Sequence, residues 1–129
     1  MNIAIIGRGT VGSALGVGWL KAGHKVTFGV RNASVATWSG SPQPEFKSVA
    51  EAARGTAVIV VAIPAPAAAD AGAILAKVPG IKDKTIIDAT NSIYRGPEGY
   101  KSSYEALRSL TGVDVIKCLN STGAENMAN

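Results

Sequence analysis

Cysteine is almost missing from this sequence: Cys118 is the single one among 129 residues. No intrachain disulfide can form, and nothing in the thiol content points to an oxidising compartment. Aromatic residues are also scarce, at 5% of the chain (Trp19, Phe28, Trp38, Phe46, Tyr94, Tyr100 and Tyr104), and no run of consecutive basic residues occurs. A nucleic-acid surface is therefore not expected, although 13 Lys and Arg against 9 Asp and Glu leave a net charge of +4. A mild basic excess of this kind suits a polyanionic ligand, and it is equally common in proteins that bind nothing acidic. Apolar runs are too short for a membrane span, and the opening Met1–Gly7 carries no basic leader, so no membrane association and a cytoplasmic location are expected. No His/Cys cluster has metal-ligand spacing and no Ser-His-Asp arrangement can be assembled, so neither a metal nor a hydrolytic centre is expected. One absence is local: no Asp or Glu occurs before Glu45.

Apolar residues make up 47% of the chain, charged ones only 17%, and glycine contributes 15 positions. That amount of apolar material fills one compact core and is too little for two. Hydrophobic runs alternate with helical segments. Asn2–Ile6 reads as a buried strand, Val11–Ala22 as a helix stopped by Gly23, and Lys25–Gly29 as a second strand. Residues 31–44 are rich in Ser, Asn, Gly and Pro and read as a loop with room for a weak helical turn. A short strand follows at Glu45–Lys47, and Ser48–Ala53 makes a helix with Ser48 and Glu51 in capping-box spacing. Ala57–Ile63 is an unbroken β-branched run, as a central parallel strand requires. Beyond Pro64 and Pro66 come a helix at Ala67–Lys77, a strand at Thr85–Asp88, a helix at Ser103–Leu110 and a strand at Val113–Leu119. Strand–helix alternation of this kind implies right-handed crossovers. The expectation is a single α/β domain over residues 1–129, a doubly wound parallel sheet of about six strands of the Rossmann type.

Gly7-Arg8-Gly9-Thr10-Val11-Gly12 fits G-x-G-x-x-G. Its letters alone are weak evidence, but it follows a buried strand directly and opens a helix, the context in which the pattern binds a dinucleotide. Gly7 permits the tight turn, Gly9 removes a side chain where a pyrophosphate approaches, and Gly12 allows close packing of the helix. Dinucleotide sites that take NAD place an acid at the end of the second strand, on the ribose 2′-hydroxyl. Here that strand ends Phe28-Gly29-Val30-Arg31-Asn32, without an acid. A carboxylate repels a 2′-phosphate, whereas Arg31, beside Asn32, can grip one; the competing reading of Arg31 is a solvated surface charge. The balance favours NADP(H). Arg8 and Thr10 stand within reach of phosphate or adenine.

Ligands of doubly wound sheets lie at the carboxyl ends of the strands. Ala62-Ile63-Pro64 ends the fourth strand with small and apolar groups suited to pass a nicotinamide ribose. Asp88-Ala89-Thr90-Asn91 ends the fifth, and two roles are open to Asp88: a ligand contact, or a cap on its own loop. Asn120 opens another polar turn at the same edge. His24 begins the second strand, at the opposite end of the sheet, and reads as structural. Cys118 reads as a small core residue.

These segments together resemble the deazaflavin-dependent NADP reductase family. The similarity rests on Gly7–Leu15, Ala22-Gly23-His24-Lys25-Val26, Phe28–Arg31, Asp88–Asn91 and Asn120–Met127, and so covers nearly the whole chain. Pyrroline-carboxylate reductases share the opening but match the later motifs less well. The resemblance implies hydride exchange between NADP(H) and a small redox substrate, a deazaflavin or a flavin. Such an exchange needs no general acid or base, so no catalytic side chain is expected. Two departures stand out. Family members usually carry Ser where Val30 stands, which removes one candidate phosphate hydrogen bond. They also continue into a helical C-terminal part, whereas this sequence stops at Asn129. A fragment or a short relative is therefore expected, with a non-catalytic NADP(H)-binding module as the competing function and a homodimer as one way to complete the site.

Overall fold

The structure is a computed structural model and describes residues 1–90 and 97–117. Six strands are present among them: β1 (Asn2–Ile6), β2 (Lys25–Gly29), β3 (Glu45–Lys47), β4 (Val58–Val61), β5 (Thr85–Asp88) and β6 (Val115–Lys117). They form one parallel sheet in the order β3-β2-β1-β4-β5-β6. The order reverses between β1 and β4, so a crevice opens above their carboxyl ends, where the two halves of a doubly wound sheet diverge. The expected single α/β domain of the Rossmann type is the observed one. The helices among the described residues are α1 (Thr10–Lys21), α2 (Val49–Arg54), α3 (Ala68–Leu75) and α4 (Ser103–Thr111).

Alternation along β1 shows why it sits in the middle. Ile3 and Ile5 pack with Leu15, Leu20, Val26 and Phe28 on the α1 side. Ala4 and Ile6 point the other way, into a cluster with Ala52 of α2, Leu75 of α3 and Leu107 of α4. A strand buried on both faces must be apolar at every position, which an unbroken Ile-Ala-Ile-Ile run supplies. α1 approaches the sheet closely at Gly16, where a Cβ would stand 2.6 Å from the Phe28 ring.

Local signals fix the helix ends. Gly23, at φ +94°, closes α1. The His24 N–H donates to the Trp19 carbonyl at 3.0 Å and the Gly23 N–H to Leu20 at 3.1 Å, the paired bonds of a Schellman cap. Ser48 caps α2, accepting from the Glu51 N–H at 3.3 Å and donating its hydroxyl to Glu51 Oε1 at 3.1 Å. The spacing of a capping box is there, with a side-chain pair as its second bond.

Several boundaries differ from the sequence reading, each for a physical reason. β4 covers Val58–Val61 rather than 57–63, because Pro64 has no N–H and the chain turns away after Ala62 donates to Ile6 at 2.9 Å. The helix expected over Ala67–Lys77 is α3 at Ala68–Leu75, entered through a 3-10 turn (Ala65–Ala67). A 3-10 turn over Ile81–Asp83 went unread; it seats Ile81 in the core beneath β5. The loop of residues 31–44 carries its weak turn at Ala33–Val35. β6 begins at Val115, two residues later than expected, while Cys118 and Leu119 lie outside the described residues. Among the described residues no helix is long and apolar enough to cross a membrane.

Candidate functional site

β1 delivers the chain into the glycine turn at the crevice, and each glycine answers to a different constraint. Gly7 has φ +102°, and a Cβ there would lie 2.6 Å from the Ala62 carbonyl oxygen and 2.7 Å from the Ile63 side chain. It is glycine because the turn presses on the end of β4. A Cβ on Gly12 would stand 2.5 Å from the Gly7 carbonyl oxygen, so this position is governed by the turn itself before the strand. Gly9 is the exception. Its φ of −77° and ψ of −161° suit any residue, and a Cβ would meet nothing within 4 Å. Nothing among the described residues asks for glycine there; the space beside it is an open cradle.

That cradle sits at the start of α1. Gly9 is the N-cap, no side chain caps the helix, and its first turn holds no acid. The opening N–H groups of a helix have no partner within it, and its dipole end is positive. An anion placed against Gly9 meets both, so the residues fit the diphosphate of a dinucleotide. Ser13 steadies the turn by donating its hydroxyl to the Arg8 carbonyl at 3.1 Å. Thr10 is exposed at the helix start, and Val11 packs partly into the core.

The cradle opens into a cleft of about 590 Å³. Gly7, Arg8 and Gly9 form its floor, Val30 and Arg31 come from the end of β2, and Ala62, Ile63 and Pro64 from the end of β4. The structure thus brings together the sequence-expected residues of three separate strand ends. Arg31 is exposed and makes no ion pair among the described residues, where the pairs are Lys25–Glu45 and Lys47–Glu45. Asn32 stands beside it, but its side-chain oxygen accepts from the Ser34 N–H at 3.2 Å and the Ser34 hydroxyl at 2.6 Å, capping the turn that follows.

Arg8 takes a course that its neighbours in sequence do not disclose. Its guanidinium lies 4.9 Å from the Phe46 ring centre and 5.7 Å from that of Trp38, and it donates to the Thr37 carbonyl. Trp38 and Phe46 in turn pack on Phe28, at 5.4 and 5.6 Å. The side chain braces the glycine turn against the β2–β3 connection. The far wall of the cleft, from α3 and the turn before it, was missed: Ala67, Asp70, Ala71 and Ile74 all face it. Their i, i+3, i+4, i+7 spacing marks one helical face, a signal present in the sequence. Asn91 and Asn120 lie outside the described residues.

The role of Asp88 is decided by its surroundings. The side chain is fully buried; Oδ1 accepts from the Thr90 N–H at 2.8 Å and the Thr90 hydroxyl at 2.6 Å, and Oδ2 from the Ser103 hydroxyl at 3.1 Å. The Thr90 and Ser103 hydroxyls also lie directly against each other. Asp88 caps its own turn and pins the start of α4 to it. His24 lies at the amino end of β2, away from the cleft, as expected.

A reversed parallel sheet, a glycine turn feeding an uncapped helix, and an acid-free end of β2 define an NAD(P)-binding Rossmann domain. The chain belongs to the family described as NADP oxidoreductase, coenzyme F420-dependent, whose match spans residues 2–92. Among solved structures it is similar to a candidate F420-dependent NADP reductase from Arthrobacter sp. FB24, at 24% identity and a TM-score of 0.73, covering 97% of this chain and 64% of that one. A hypothetical protein from Sinorhizobium meliloti gives 25% identity and a TM-score of 0.74, over 100% of this chain and 66% of its own. Pyrroline carboxylate reductase from Plasmodium falciparum, with NADP bound, is more distant, at 22% and 0.52 over 70% of this chain and 33% of that one. The chain therefore spans slightly under two thirds of the length of the first two. No curated protein matches the sequence significantly.

Proposed function

We propose that this chain seats NADP(H) for hydride exchange with a deazaflavin, or with a flavin of similar shape. The observation that carries the reading is the pairing of the open cradle at Gly9 with an unpaired Arg31 in one cleft. In this reading the turn Gly7, Arg8, Gly9, Thr10, Val11 and Gly12 receives the pyrophosphate on backbone N–H groups. Arg31 holds the 2′-phosphate, with Asn32 shaping the turn behind it. The Arg8 side chain fixes the turn through Thr37, Trp38 and Phe46, and its Nε is still without a hydrogen-bond partner among the described residues. Ala62, Ile63 and Pro64 form the apolar side along which the dinucleotide passes, and Asn91 and Asn120 complete the nicotinamide end.

Bound NADP(H) supplies the hydride; the residues of this chain supply position. Transfer requires donor and acceptor held about 3–3.5 Å apart, which is a demand on geometry rather than on acid–base groups. The experiment is calorimetric titration with NADPH and NADH, followed by stopped-flow oxidation of NADPH by a deazaflavin and by a flavin. Expected is tighter binding of NADPH and faster oxidation by the deazaflavin; equal affinities for the two nucleotides refute the assignment of Arg31. We extend the reading to a homodimer in the cytoplasm, and sedimentation at two concentrations checks the assembly.

A further inference from the structure

We propose that Asp70 is a specificity residue that reads the nucleotide base, its carboxylate accepting a hydrogen bond from the exocyclic amine of adenine. The inference rests on the reading of the cleft as an NADP(H) site. If Arg31 holds the 2′-phosphate, the base on that same ribose must lie within the same cavity. α3 and the turn before it supply one wall of that cavity. Ala67, Ala71 and Ile74 give it an apolar surface, on which Ile74 remains 43% exposed. A purine face matches a surface of that kind.

One polar side chain interrupts that apolar face, Asp70, three residues after Ala67 and four before Ile74. It is exposed to the cleft and takes part in no ion pair or hydrogen bond among the described residues, including none with Arg31 across the cavity. An ionised carboxylate is an acceptor only. The edge of adenine offers a donor in its 6-amino group, whereas hypoxanthine carries a carbonyl oxygen there, which a carboxylate repels. Charge is thus divided across the cleft: Arg31 for the phosphate, Asp70 for the base. The competing structural role is a favourable charge in the first turn of α3.

The test titrates the full chain and its Asp70→Ala variant with NADPH, its hypoxanthine analogue and NADH, and records thermal unfolding of both proteins. The wild-type chain should bind NADPH about tenfold more tightly than the hypoxanthine analogue, as one charge-assisted hydrogen bond allows. In Asp70→Ala that ratio should fall close to one while the NADPH-to-NADH ratio stays unchanged. Equal affinity of the wild-type chain for the two bases overturns the proposal. So does a variant that alters only the NADPH-to-NADH ratio, which would mean that Asp70 acts through Arg31, or one that lowers only the unfolding temperature, which would leave the helix-dipole role. Failure of the wild-type chain to bind NADPH at all removes the cofactor reading first, and this inference with it.

Discussion

The turn after β1 and the turn after β5 leave the same edge of the sheet, with a single strand between them. At the first, α1 begins without a capping side chain and the space beside Gly9 is empty. At the second, Asp88 is fully buried and takes three hydrogen bonds from Thr90 and Ser103. Both are polar turns at the ligand edge of a doubly wound sheet, and by position alone both qualify as binding sites. The difference is whether the chain consumes its own polar groups. A turn that satisfies itself holds the fold together; a turn that leaves donors and space unfilled is complementary to something outside the chain.

The sharpest way to break this contrast is Asp88→Ala. It removes the acceptor of the Thr90 N–H and the carboxylate that two buried hydroxyls donate to, and the expected loss is about 3 kcal/mol in urea unfolding. A variant of unchanged stability that loses NADPH would move Asp88 to the binding side of the comparison. Gly9→Val is the mirror experiment. Binding of NADPH should weaken by at least about 2.7 kcal/mol, a hundredfold, because the side chain fills the cradle. Unfolding of the free chain should shift by no more than about 1 kcal/mol, the cost of a poorer N-cap. Normal binding by this variant would mean that the glycine turn is not the phosphate site.

Smaller effects sharpen the picture at its margins. Arg31→Ala should lower NADPH affinity by about 1–3 kcal/mol and leave NADH almost unaffected, abolishing the preference between them. A parallel loss for both nucleotides would show that Arg31 contacts something other than the 2′-phosphate. Arg8→Met keeps an unbranched apolar stem and removes the charge beside Phe46 and Trp38. Its cost should be about 0.5–1 kcal/mol of stability, with NADPH affinity following only through the loosened turn. A large selective loss of NADPH binding would instead place the guanidinium on the ligand.

Much of the site was legible because its constraints are local. The turn Gly7–Gly12 encodes its requirements within six consecutive positions, and the adjoining strand and helix announce themselves by periodicity. Gly23 and Ser48 likewise act on backbone groups within a few residues, so the ends of α1 and α2 could be placed closely. Asp70 was passed over for the opposite reason. Its helix could be read, yet which face of that helix looks onto the cleft depends on how α3 packs against α2 and α4. Arg8 is similar: nothing next to it in sequence shows that Thr37 and Trp38, 29 and 30 positions on, will receive its guanidinium.

By itself the sequence determined the doubly wound sheet, the glycine turn at its crevice, and a basic rather than acidic residue at the end of β2. These follow from hydrophobic period, backbone freedom and charge, properties that belong to short stretches of chain. Only the tertiary structure decided which polar groups are left over. Asp88 became a cap because Ser103, 15 residues away, folds onto it, and Gly9 became a cradle because none of the described residues does. Whether a donor or acceptor is satisfied depends on atoms brought close by long-range packing, and that is where the fold separates the residues that hold it together from those left to meet a ligand.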